Sequence, residues 1–391
     1  MNSSAKYKKI VVITSRFPYP LEKGDKLRAY YQIKELSETM EVTLITLTEN
    51  KIRPKQLEAL NPFCKNIYTF KTKKWINWIK AGLSILGSKP FQVGYFYHSS
   101  IHRKINQLLK ELKPDHIYAQ LIRTTEYVKN YHACPKTIDY MDALSKGMER
   151  RTRETSHFKK WIFHIEYQRL VQYENAIFEY FEHHTIISKQ DQREIFHKNN
   201  NRITIIPNGV AASFFVKPES KINYDIVFTG NMSYPPNITA AKYIVEKILP
   251  KLPSGTNVLL AGASPSSEVT ALQNNNVTVS GWVDDIRESY VQGKIFIAPM
   301  FLGTGLQNKL LEAMALGIPC ITSPLANNAL GAKDGEQILL ADSEATFINH
   351  IQFLLSHPEE AKRIGENGTT FVKDNYDWKA TTQKLIDLIN V

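Results

Sequence analysis

The fold is indicated most clearly by residues 299–319, whose sequence is PMFLGTGLQNKLLEAMALGIP. An apolar run over 295–299 predicts a buried strand, and Gly303 and Gly305 follow it in a loop before a predicted helix. Such a loop offers backbone N–H groups and the helix dipole to a phosphate, and Lys309 in the first helical turn can add a full charge. The same residues also fit an ordinary strand–loop–helix unit with solvated side chains, so the motif alone leaves both interpretations open.

Strand and helix patterns of this kind alternate along the whole chain. Short β-branched runs predict strands at 9–15, 41–47, 66–70, 115–121, 136–140, 185–188, 202–206, 224–229, 257–262, 277–281, 295–299 and 320–323. Amphipathic segments separate most of these runs, with a long helical stretch or helix pair over 145–182 and three helical patterns after residue 343. The sequence therefore predicts an α/β protein with two Rossmann-like, doubly wound domains that face each other across a cleft.

The length and one turn divide the chain. At roughly 150 residues per domain, 391 residues favour two domains. Pro207, Asn208 and Gly209 provide turn chemistry directly after a predicted strand, and a polar stretch without helical or strand period follows. We expect a first domain over 1–207, a second over 208–375, and a terminal helix over 376–391 that either stays with the second domain or crosses back to the first.

The positive charge is concentrated in the first half. The chain has 49 Lys and Arg against 38 Asp and Glu, a formal charge of +11, and residues 1–207 hold 35 of the basic and 20 of the acidic residues. This asymmetry predicts that the first domain meets a polyanion, an anionic membrane surface or a phosphorylated acceptor. Three scattered cysteines predict neither a disulfide framework nor a zinc site, and no apolar run is long enough for a signal peptide or a spanning helix. A cytoplasmic protein, soluble or peripherally attached to the inner membrane face, fits these features.

Two further loops carry candidate ligand-binding residues. Gly230 follows a predicted strand and Asn231 comes next, at the edge where a ligand would bind, although a glycine needed only for the turn explains the pattern equally well. Gly24 lies in the loop after the first strand and Arg28 in the first turn of the next helix, for which a surface loop with solvated charges is the alternative.

Two carboxylates, Asp139 and Asp142, stand where the fifth predicted strand ends. Either could act as general base or orient a hydroxyl, and Asp142 is equally well placed to cap the helix that begins near Ser145. Gln120 and Arg123 end the preceding strand and are candidates for contact with an acceptor, with the same ambiguity.

Several motifs occur together in the second half: PNGV at residue 207, FTGNMSYPPN at 228, GWVDDI at 281, GTGLQNKLLEAMALGIPCITS at 303 and a helix that begins at Trp378. In this combination the chain resembles GT-B glycosyltransferases of family 4, and the KGDKLR loop and the alternation of the first half also fit. The resemblance implies retaining transfer of a sugar from a nucleotide-sugar donor, without a metal ion and without a further cofactor.

The resemblance also implies roles for particular residues. Those that would bind the donor are Gly24, Gly230, Asn231, Trp282, Val283, Gly303, Thr304, Gly305, Leu306, Lys309 and Glu312. The diphosphate would bind the amides of residues 303–306, and Lys309 would neutralise its charge as it leaves. Glu312 would hold the ribose by accepting from two vicinal hydroxyls. Trp282, Val283 and Asp284 would lie near the nucleobase.

Three departures from the family pattern bear on these roles. The family usually has two glutamates eight positions apart, and the position eight before Glu312 is Thr304, which leaves the transferred sugar open. Asn231 stands where the family often has an arginine, so Lys309 must supply most of the side-chain charge on the diphosphate. Asp142 or a neighbour replaces a histidine often found after the fifth strand, and no protein nucleophile is identified.

Other functions are weighed against this one. An epimerase would need paired acids and histidines in the crevice, and a phosphorylase would need a lysine for pyridoxal phosphate; neither pattern is present. A polyanion binder is motivated by the charge of +11, but the basic residues belong to no nucleic-acid motif. Two basic segments that carry tryptophan, 71–80 and 150–161, fit either an anionic membrane interface or solvated helices with a buried tryptophan. We therefore expect a nucleotide-sugar donor, a glycan or lipid-linked acceptor and no nucleic-acid partner.

Overall fold

The computed structural model describes residues 7–84, 87–154, 158–301 and 306–391. The chain divides into two compact units, one formed by Met1–Pro207 with Thr381–Val391 and the other by Asn208–Ala380. Each unit contains one parallel sheet with helices between its strands, which is the doubly wound α/β architecture that the alternating pattern predicts. No helix in the described part of the chain is long and apolar enough to cross a membrane.

The first unit is built on a sheet of seven parallel strands. They are β1 (Lys8–Thr14), β2 (Met40–Thr48), β3 (Asn66–Lys71), β4 (His116–Gln120), β5 (Lys136–Asp139), β6 (His183–Ile186) and β7 (Thr204–Ile205). Their order is β3-β2-β1-β4-β5-β6-β7, and β1 pairs with β2 from Lys8↔Met40 to Thr14↔Thr46. The order reverses between β1 and β4, which is where doubly wound sheets bind ligands.

Helices cover the two faces of this sheet. They are α1 (Gly24–Ser37), α2 (Pro54–Glu58), α3 (Lys74–Leu83), α4 (Phe91–Phe96), α5 (Ser99–Leu112), α6 (Leu144–Glu154), α7 (Phe158–Phe178) and α8 (Lys189–Glu194). The long helical stretch is thus a helix pair, α6 and α7. In β1, Ile10 and Val12 join one apolar core and Val11 and Ile13 join the other, because successive side chains of a strand point to opposite faces.

The second unit repeats the plan with six parallel strands. They are β8 (Tyr224–Thr229), β9 (Val258–Ala261), β10 (Val277–Gly281), β11 (Gly293–Ala298), β12 (Cys320–Thr322) and β13 (Leu339–Leu340). Their order is β10-β9-β8-β11-β12-β13, so it reverses between β8 and β11. The two residues of β13 are too few to give a period, and the sequence did not predict that strand.

The second unit's helices include several with side-chain caps. They are α9 (Pro235–Tyr243), α10 (Ser267–Thr270), α11 (Ile286–Val291), α12 (Asn308–Ala315), α13 (Pro324–Leu330), α14 (Glu344–Ser356), α15 (Pro358–Asn375) and α16 (Trp378–Asn390). Ser266, Ser323 and Ser343 accept hydrogen bonds from the first turns of α10, α13 and α14.

The final helix, α16, begins in the second unit and ends in the first. Leu385, Ile386 and Ile389 pack in the same apolar core as Ile10 and Val12. At the start of this helix, Trp378 lies so close to Gly209 that a Cβ atom at Gly209 would be 2.6 Å from the Trp378 backbone nitrogen. The glycine of the PNGV turn is therefore required by packing against α16.

Candidate functional site

In the second unit, the loops after β8 and β11 meet at the edge where the strand order reverses. β8 ends at Thr229 and is followed by Gly230, while β11 ends at Ala298 and leads toward α12. The predicted diphosphate-binding residues Gly303, Thr304 and Gly305 lie outside the described residues. Leu306, the fourth of that group, is half-buried and packs against the apolar core.

Two glycines let the backbone of these loops approach closely. A Cβ atom at Gly262 would lie 1.9 Å from the Gly230 carbonyl oxygen, and Gly262 has a φ of 138°. A Cβ atom at Gly230 would lie 2.6 Å from Asn237 Nδ2 and 3.2 Å from Lys309 Nζ. Gly230 thus makes room for Asn237 and Lys309 at the floor of the site.

Lys309, in the first turn of α12, holds its ammonium beside this floor. Its Nζ donates to Asn237 Oδ1, and it lies 3.9 Å from the Met300 sulfur and 4.7 Å from the centre of the Phe228 ring. Burial lowers the pKa of Lys309 from 10.5 to about 7, and the charge of Glu312 opposes this effect. Among the described residues its hydrogen-bond acceptor is a neutral amide, so an incoming anion would give the ammonium a charged acceptor.

Glu312 lies one turn further along α12 and is fixed by a chain of hydroxyls. Tyr290 donates to Glu312 Oε2 at 2.7 Å, and Thr229 donates to the Tyr290 oxygen at 2.7 Å. Burial raises the pKa of Glu312 to about 7, although the Tyr290 hydrogen bond and the charge of Lys309 favour the carboxylate. A carboxylate oriented in this way has lone pairs to accept from two vicinal hydroxyls.

Trp282 and Val283 follow β10, two strands away from β8 in the sheet. The Trp282 side chain is 63% exposed, whereas Val283 is half-buried. Asp285 accepts from the Arg287 N–H at 3.0 Å and caps α11. The structure therefore groups Gly230, Lys309 and Glu312 and leaves Trp282 as an exposed aromatic surface at the edge of the sheet.

Asn231 is exposed, and its side chain closes its own turn. Its Oδ1 accepts from the N–H and the hydroxyl of Ser233 at 3.0 and 2.7 Å. Its carbonyl oxygen accepts from Asn237 Nδ2 at 2.9 Å, so Asn231 orients the amide that receives the Lys309 hydrogen bond.

In the first unit, Gln120 is the last residue of β4 and Arg123 follows it, near the start of α1. Gln120 Nε2 donates to the Asp25 carbonyl oxygen at 2.8 Å, and Arg123 donates from Nε and Nη2 to Gln92 Oε1 at 3.1 and 2.6 Å. Gly24 begins α1, and no described atom lies within 4 Å of the place that its Cβ atom would occupy.

Arg28 and Asp139 form a fully buried ion pair. Arg28 donates from Nε and Nη2 to the two Asp139 oxygens at 2.7 and 3.1 Å, and Thr185 donates to the same carboxylate at 2.9 Å. The predictions of an acceptor contact for Arg28 and of proton transfer by Asp139 are therefore wrong. Both groups are inaccessible, and each already has a charged partner.

Asp142 differs from Asp139 because its side chain is exposed to solvent. Desolvation of its carboxyl group by the surrounding protein and, next, the charge of Asp191 raise its pKa to about 6, whereas the charge of Arg123 lowers it. The Ser145 N–H at the start of α6 is bound by Glu174 Oε1 at 3.0 Å, so Glu174 takes the position proposed for an Asp142 cap. A carboxylate with a pKa near neutrality can exchange a proton at physiological pH.

The backbone on either side of this edge is in an unusual conformation. Leu121 after β4 and Met141 after β5 have φ values of 64° and 63°, a left-handed conformation that is costly for residues other than glycine. Such conformations concentrate at functional sites, where the surrounding structure enforces them. Here they lie next to Gln120 and Asp142.

Sequence reasoning missed the residues that position the site. Asn237 and Tyr290 orient Lys309 and Glu312, yet each reads as an ordinary residue of a helix pattern. The only local signal was the Pro235-Pro236 pair that fixes the start of α9 just before Asn237. No group of three or more His, Cys, Asp or Glu side chains suited to a metal ion occurs in the ranges that the structure describes.

Comparison with known proteins gives one family and several similar structures. Residues 223–357 match the family model described as glycosyl transferases group 1. An uncharacterized 44.6 kDa protein in the cps region of Klebsiella pneumoniae is 23% identical over 401 aligned residues, which cover 95% of this chain and 97% of that protein.

Two solved structures are similar over almost the whole chain. Sucrose-phosphate synthase from Thermosynechococcus elongatus has a TM-score of 0.74 and 15% identity, with 98% of each chain covered. Anabaena HepE in complex with UDP and glucose has a TM-score of 0.72 and 14% identity, with 98% of this chain and 100% of that chain covered. The whole chain therefore shares the fold of these two proteins.

Proposed function

We propose that the protein is a retaining glycosyltransferase, because residues 223–357 match the family model of group 1 glycosyl transferases and the chain has the GT-B fold. It moves a sugar from a nucleoside-diphosphate sugar to a glycan or lipid-linked precursor of a cell-surface polysaccharide. The observation that carries the proposal is that Lys309 and Glu312 lie on neighbouring turns of α12 at the strand-order reversal, in a sequence that has Gly303 and Gly305 shortly before this helix.

The donor-binding roles follow from the chemistry of these two groups. Lys309 lacks a carboxylate in hydrogen-bond contact among the described residues and would bind the diphosphate. Glu312, held by Tyr290, would accept from the ribose hydroxyls. The complex of HepE with UDP and glucose supports a nucleoside diphosphate as the leaving group.

Transfer needs stabilisation of the departing diphosphate and a place for the acceptor proton. We propose that Lys309 neutralises the leaving group, so that the reaction requires neither a metal ion nor another cofactor. Asp142 is our candidate for the group that accepts the proton, because it is exposed and its pKa is raised toward neutrality.

Thermal denaturation with a panel of nucleoside diphosphates and nucleotide sugars tests donor binding. A selective rise of the midpoint with one base is expected, because a ligand of the folded state stabilises it by mass action. Lys309→Ala and Glu312→Ala should abolish the rise, whereas Lys247→Ala and Glu246→Ala, at exposed positions of the same unit, should retain it. Unchanged binding by both site variants would refute the roles of Lys309 and Glu312.

Product analysis separates transfer from the alternatives. We expect the donor sugar to appear on an acceptor or on water with the same configuration at its anomeric carbon and at its other ring carbons. The rate of transfer should be the same in the presence of a metal chelator. Conversion of the bound sugar into its epimer would replace the proposal by an epimerase. Asp142→Asn should slow turnover by about 10²–10⁴-fold without loss of donor binding, and Asp374→Asn, at an exposed position, is the matched control.

We also propose that the protein is cytoplasmic and attaches peripherally to an anionic membrane through α3. Trp75, Trp78, Ile79 and Leu83 share one face of this helix and are 52–64% exposed, while Asn77 and Ala81 on the other face are buried. Exposed lysines at 71, 73 and 74 precede or begin the helix. An apolar helical face beside lysines suits insertion at an anionic lipid surface.

Vesicle sedimentation tests this attachment. Binding to vesicles that contain phosphatidylglycerol, and weaker binding to phosphatidylcholine alone, is expected. The double variant Trp75→Ser with Leu83→Ser should lose it, whereas Phe196→Ser, which removes a side chain 70% exposed elsewhere in the first unit, should not. Equal binding by all three proteins would refute α3 as the membrane contact.

A further inference from the structure

The first unit contains a cavity of about 1150 Å³ that the proposed roles leave unexplained. Its walls come from the loops after β1 and β2, from α3 and α4, and from Arg123 after β4. It therefore opens at the carboxyl ends of the strands, next to β1. Doubly wound folds bind ligands at this end of the sheet, where the strand order reverses. The exposed face of α3 reaches its rim, because Trp78 belongs to both.

The lining of this cavity is strongly cationic. Of the residues that the structure describes, seven lysines and arginines line it, against the carboxylates of Glu22 and Glu49. Glu49 already accepts from Asn77 Nδ2 at 2.9 Å and from the Tyr95 hydroxyl at 2.6 Å. The excess positive charge of the first half of the chain is thus partly gathered in one concave surface, where it favours an anion.

Two guanidinium groups converge inside the cavity. Arg16 and Arg123 lie 5.8 and 5.4 Å from the centre of the same Phe96 ring. Arg16 pairs with Asp25 at 2.7 Å, but the hydrogen-bond acceptor of Arg123 is the neutral amide of Gln92. Burial and the neighbouring charge of Arg16 lower the pKa of Arg123 to about 10, so it stays protonated at neutral pH.

Aromatic side chains form the remaining wall. Phe91, Tyr95 and Phe96 line the cavity, and Trp78 packs edge-on against Tyr95 with ring centres 5.3 Å apart. Aromatic faces next to guanidinium groups suit a ligand that combines a sugar ring with an anionic substituent. Asp25 already pairs with Arg16, and the carboxylates nearest Arg123 act on it only through space, so a neutral sugar would leave Arg123 with the Gln92 amide as its hydrogen-bond acceptor.

We propose that this cavity binds the acceptor through a phosphate or carboxylate group attached to its sugar, with Arg123 and Arg16 as the ligands of that anion. The proposal rests on the proposed glycosyl transfer and names the class of its acceptor. Arg123 donates from Nε and Nη2 to Gln92, and the N–H groups that remain on Nη1 and Nη2 form a second fork that matches either anion.

Saturation-transfer NMR with the folded full chain tests the proposal. The probes are glucose 6-phosphate, methyl glucuronide, methyl glucoside and inorganic phosphate, each added with saturating UDP so that no probe is observed at the nucleotide site. We expect both anionic sugars to bind at least about tenfold more tightly than the neutral glycoside, and inorganic phosphate to bind more weakly because it lacks the ring.

Substitutions locate the binding. Arg123→Gln and Arg16→Gln should each weaken both anionic sugars about tenfold or more, with little effect on methyl glucoside. Arg123→Lys, which keeps the charge but loses the fork, should fall between Arg123→Gln and the parent. Arg103→Gln, at an exposed position of α5 in the same unit, should bind like the parent.

Three results would overturn the proposal: equal binding of charged and neutral glycosides, retention of anion binding in both glutamine variants, or absence of binding by every sugar probe. Tight binding of inorganic phosphate alone would make the cavity a simple anion site and would also overturn it. UDP binding is measured separately and decides donor binding, so failure of the acceptor class is distinguishable from failure of the proposed transfer.

Discussion

Replacing Lys309 by methionine should stabilise the empty protein while weakening nucleotide binding. The Lys309 ammonium lies beside the Met300 sulfur and the Phe228 ring, and its acceptor is an uncharged amide. Methionine has nearly the same length and would pack against these groups without a buried charge. The variant therefore separates two effects of the ammonium: the stability that the empty protein loses by burying it, and the nucleotide affinity that it provides.

The pKa of Lys309 sets the size of the effect. A fall from 10.5 to about 7 would correspond to about 5 kcal/mol if the charge were fully buried and unrelieved. Lys309 as a whole residue keeps some contact with solvent and the charge of Glu312 relieves part of the cost, so we expect about 1–3 kcal/mol of stabilisation, within the range seen when buried charges are replaced by apolar residues. Loss of one charge-assisted hydrogen bond should weaken the nucleotide about 10- to 100-fold.

The stabilisation should depend on pH with a defined sign. Below pH 7 the lysine is charged in both the folded and the unfolded chain, so the folded state bears the whole cost. Between about pH 7 and pH 10.5 the folded chain releases a proton that the unfolded chain retains, and the parent gains stability as the pH rises. The advantage of the methionine variant is therefore largest near pH 6 and fades toward pH 10.

Thermal denaturation at pH 6 and pH 9.5 measures this difference. For a unit of this size we expect a midpoint about 3–8 °C higher for Lys309→Met at pH 6 and a smaller difference at pH 9.5. Lys247→Met, at an exposed position of the second unit, should change the free energy of unfolding by less than about 0.5 kcal/mol. A destabilised Lys309→Met protein, or a shift that is the same at both pH values, would refute the argument that burial of this charge is costly.

Three further outcomes follow from the same geometry. Calorimetric affinity for the tightest-binding nucleotide sugar should fall on both sides of about pH 7, as Lys309 loses a proton above it and Glu312 gains one below it, and Glu312→Gln should remove the acid limb. Asp139→Asn should lower the free energy of unfolding in urea by about 3–5 kcal/mol because it leaves the buried charge of Arg28 uncompensated; a change under about 1 kcal/mol would contradict the ion pair. Gly262→Ala should cost about 1–3 kcal/mol because its Cβ atom would lie 1.9 Å from a carbonyl oxygen, and an unchanged denaturation midpoint would contradict that contact.

The architecture of the chain was predictable from short-range patterns. β-branched runs predicted twelve strands, and each corresponds to a strand of the structure within a few residues. The strand predicted at 185–188 is observed at His183–Ile186. It begins two residues earlier than predicted, with two histidines that the β-branched pattern did not include. Sequence periodicity could not predict β13, because this strand has two residues and two residues define no period.

The site was predictable only in part, because its side chains depend on partners distant in sequence. The glycine–lysine–glutamate spacing identified Lys309 and Glu312 as candidates, but the groups that orient them come from α9 and α11. Nothing in the local pattern around Tyr290 distinguishes a hydroxyl that bridges Thr229 and Glu312 from an ordinary core tyrosine.

Arg28 and Arg123 show why position alone cannot assign a role. Both follow strands of the first sheet, and both were candidates for contact with the acceptor. Arg28 finds the carboxylate of Asp139, 111 residues away, and the pair is fully buried and satisfied. Arg123 finds only the amide of Gln92 as an acceptor among the described residues, and it lies near Arg16 on the wall of a cavity. Arg28 therefore has a structural role, whereas Arg123, without a carboxylate in hydrogen-bond contact among the described residues, is the arginine that an anionic ligand would reach.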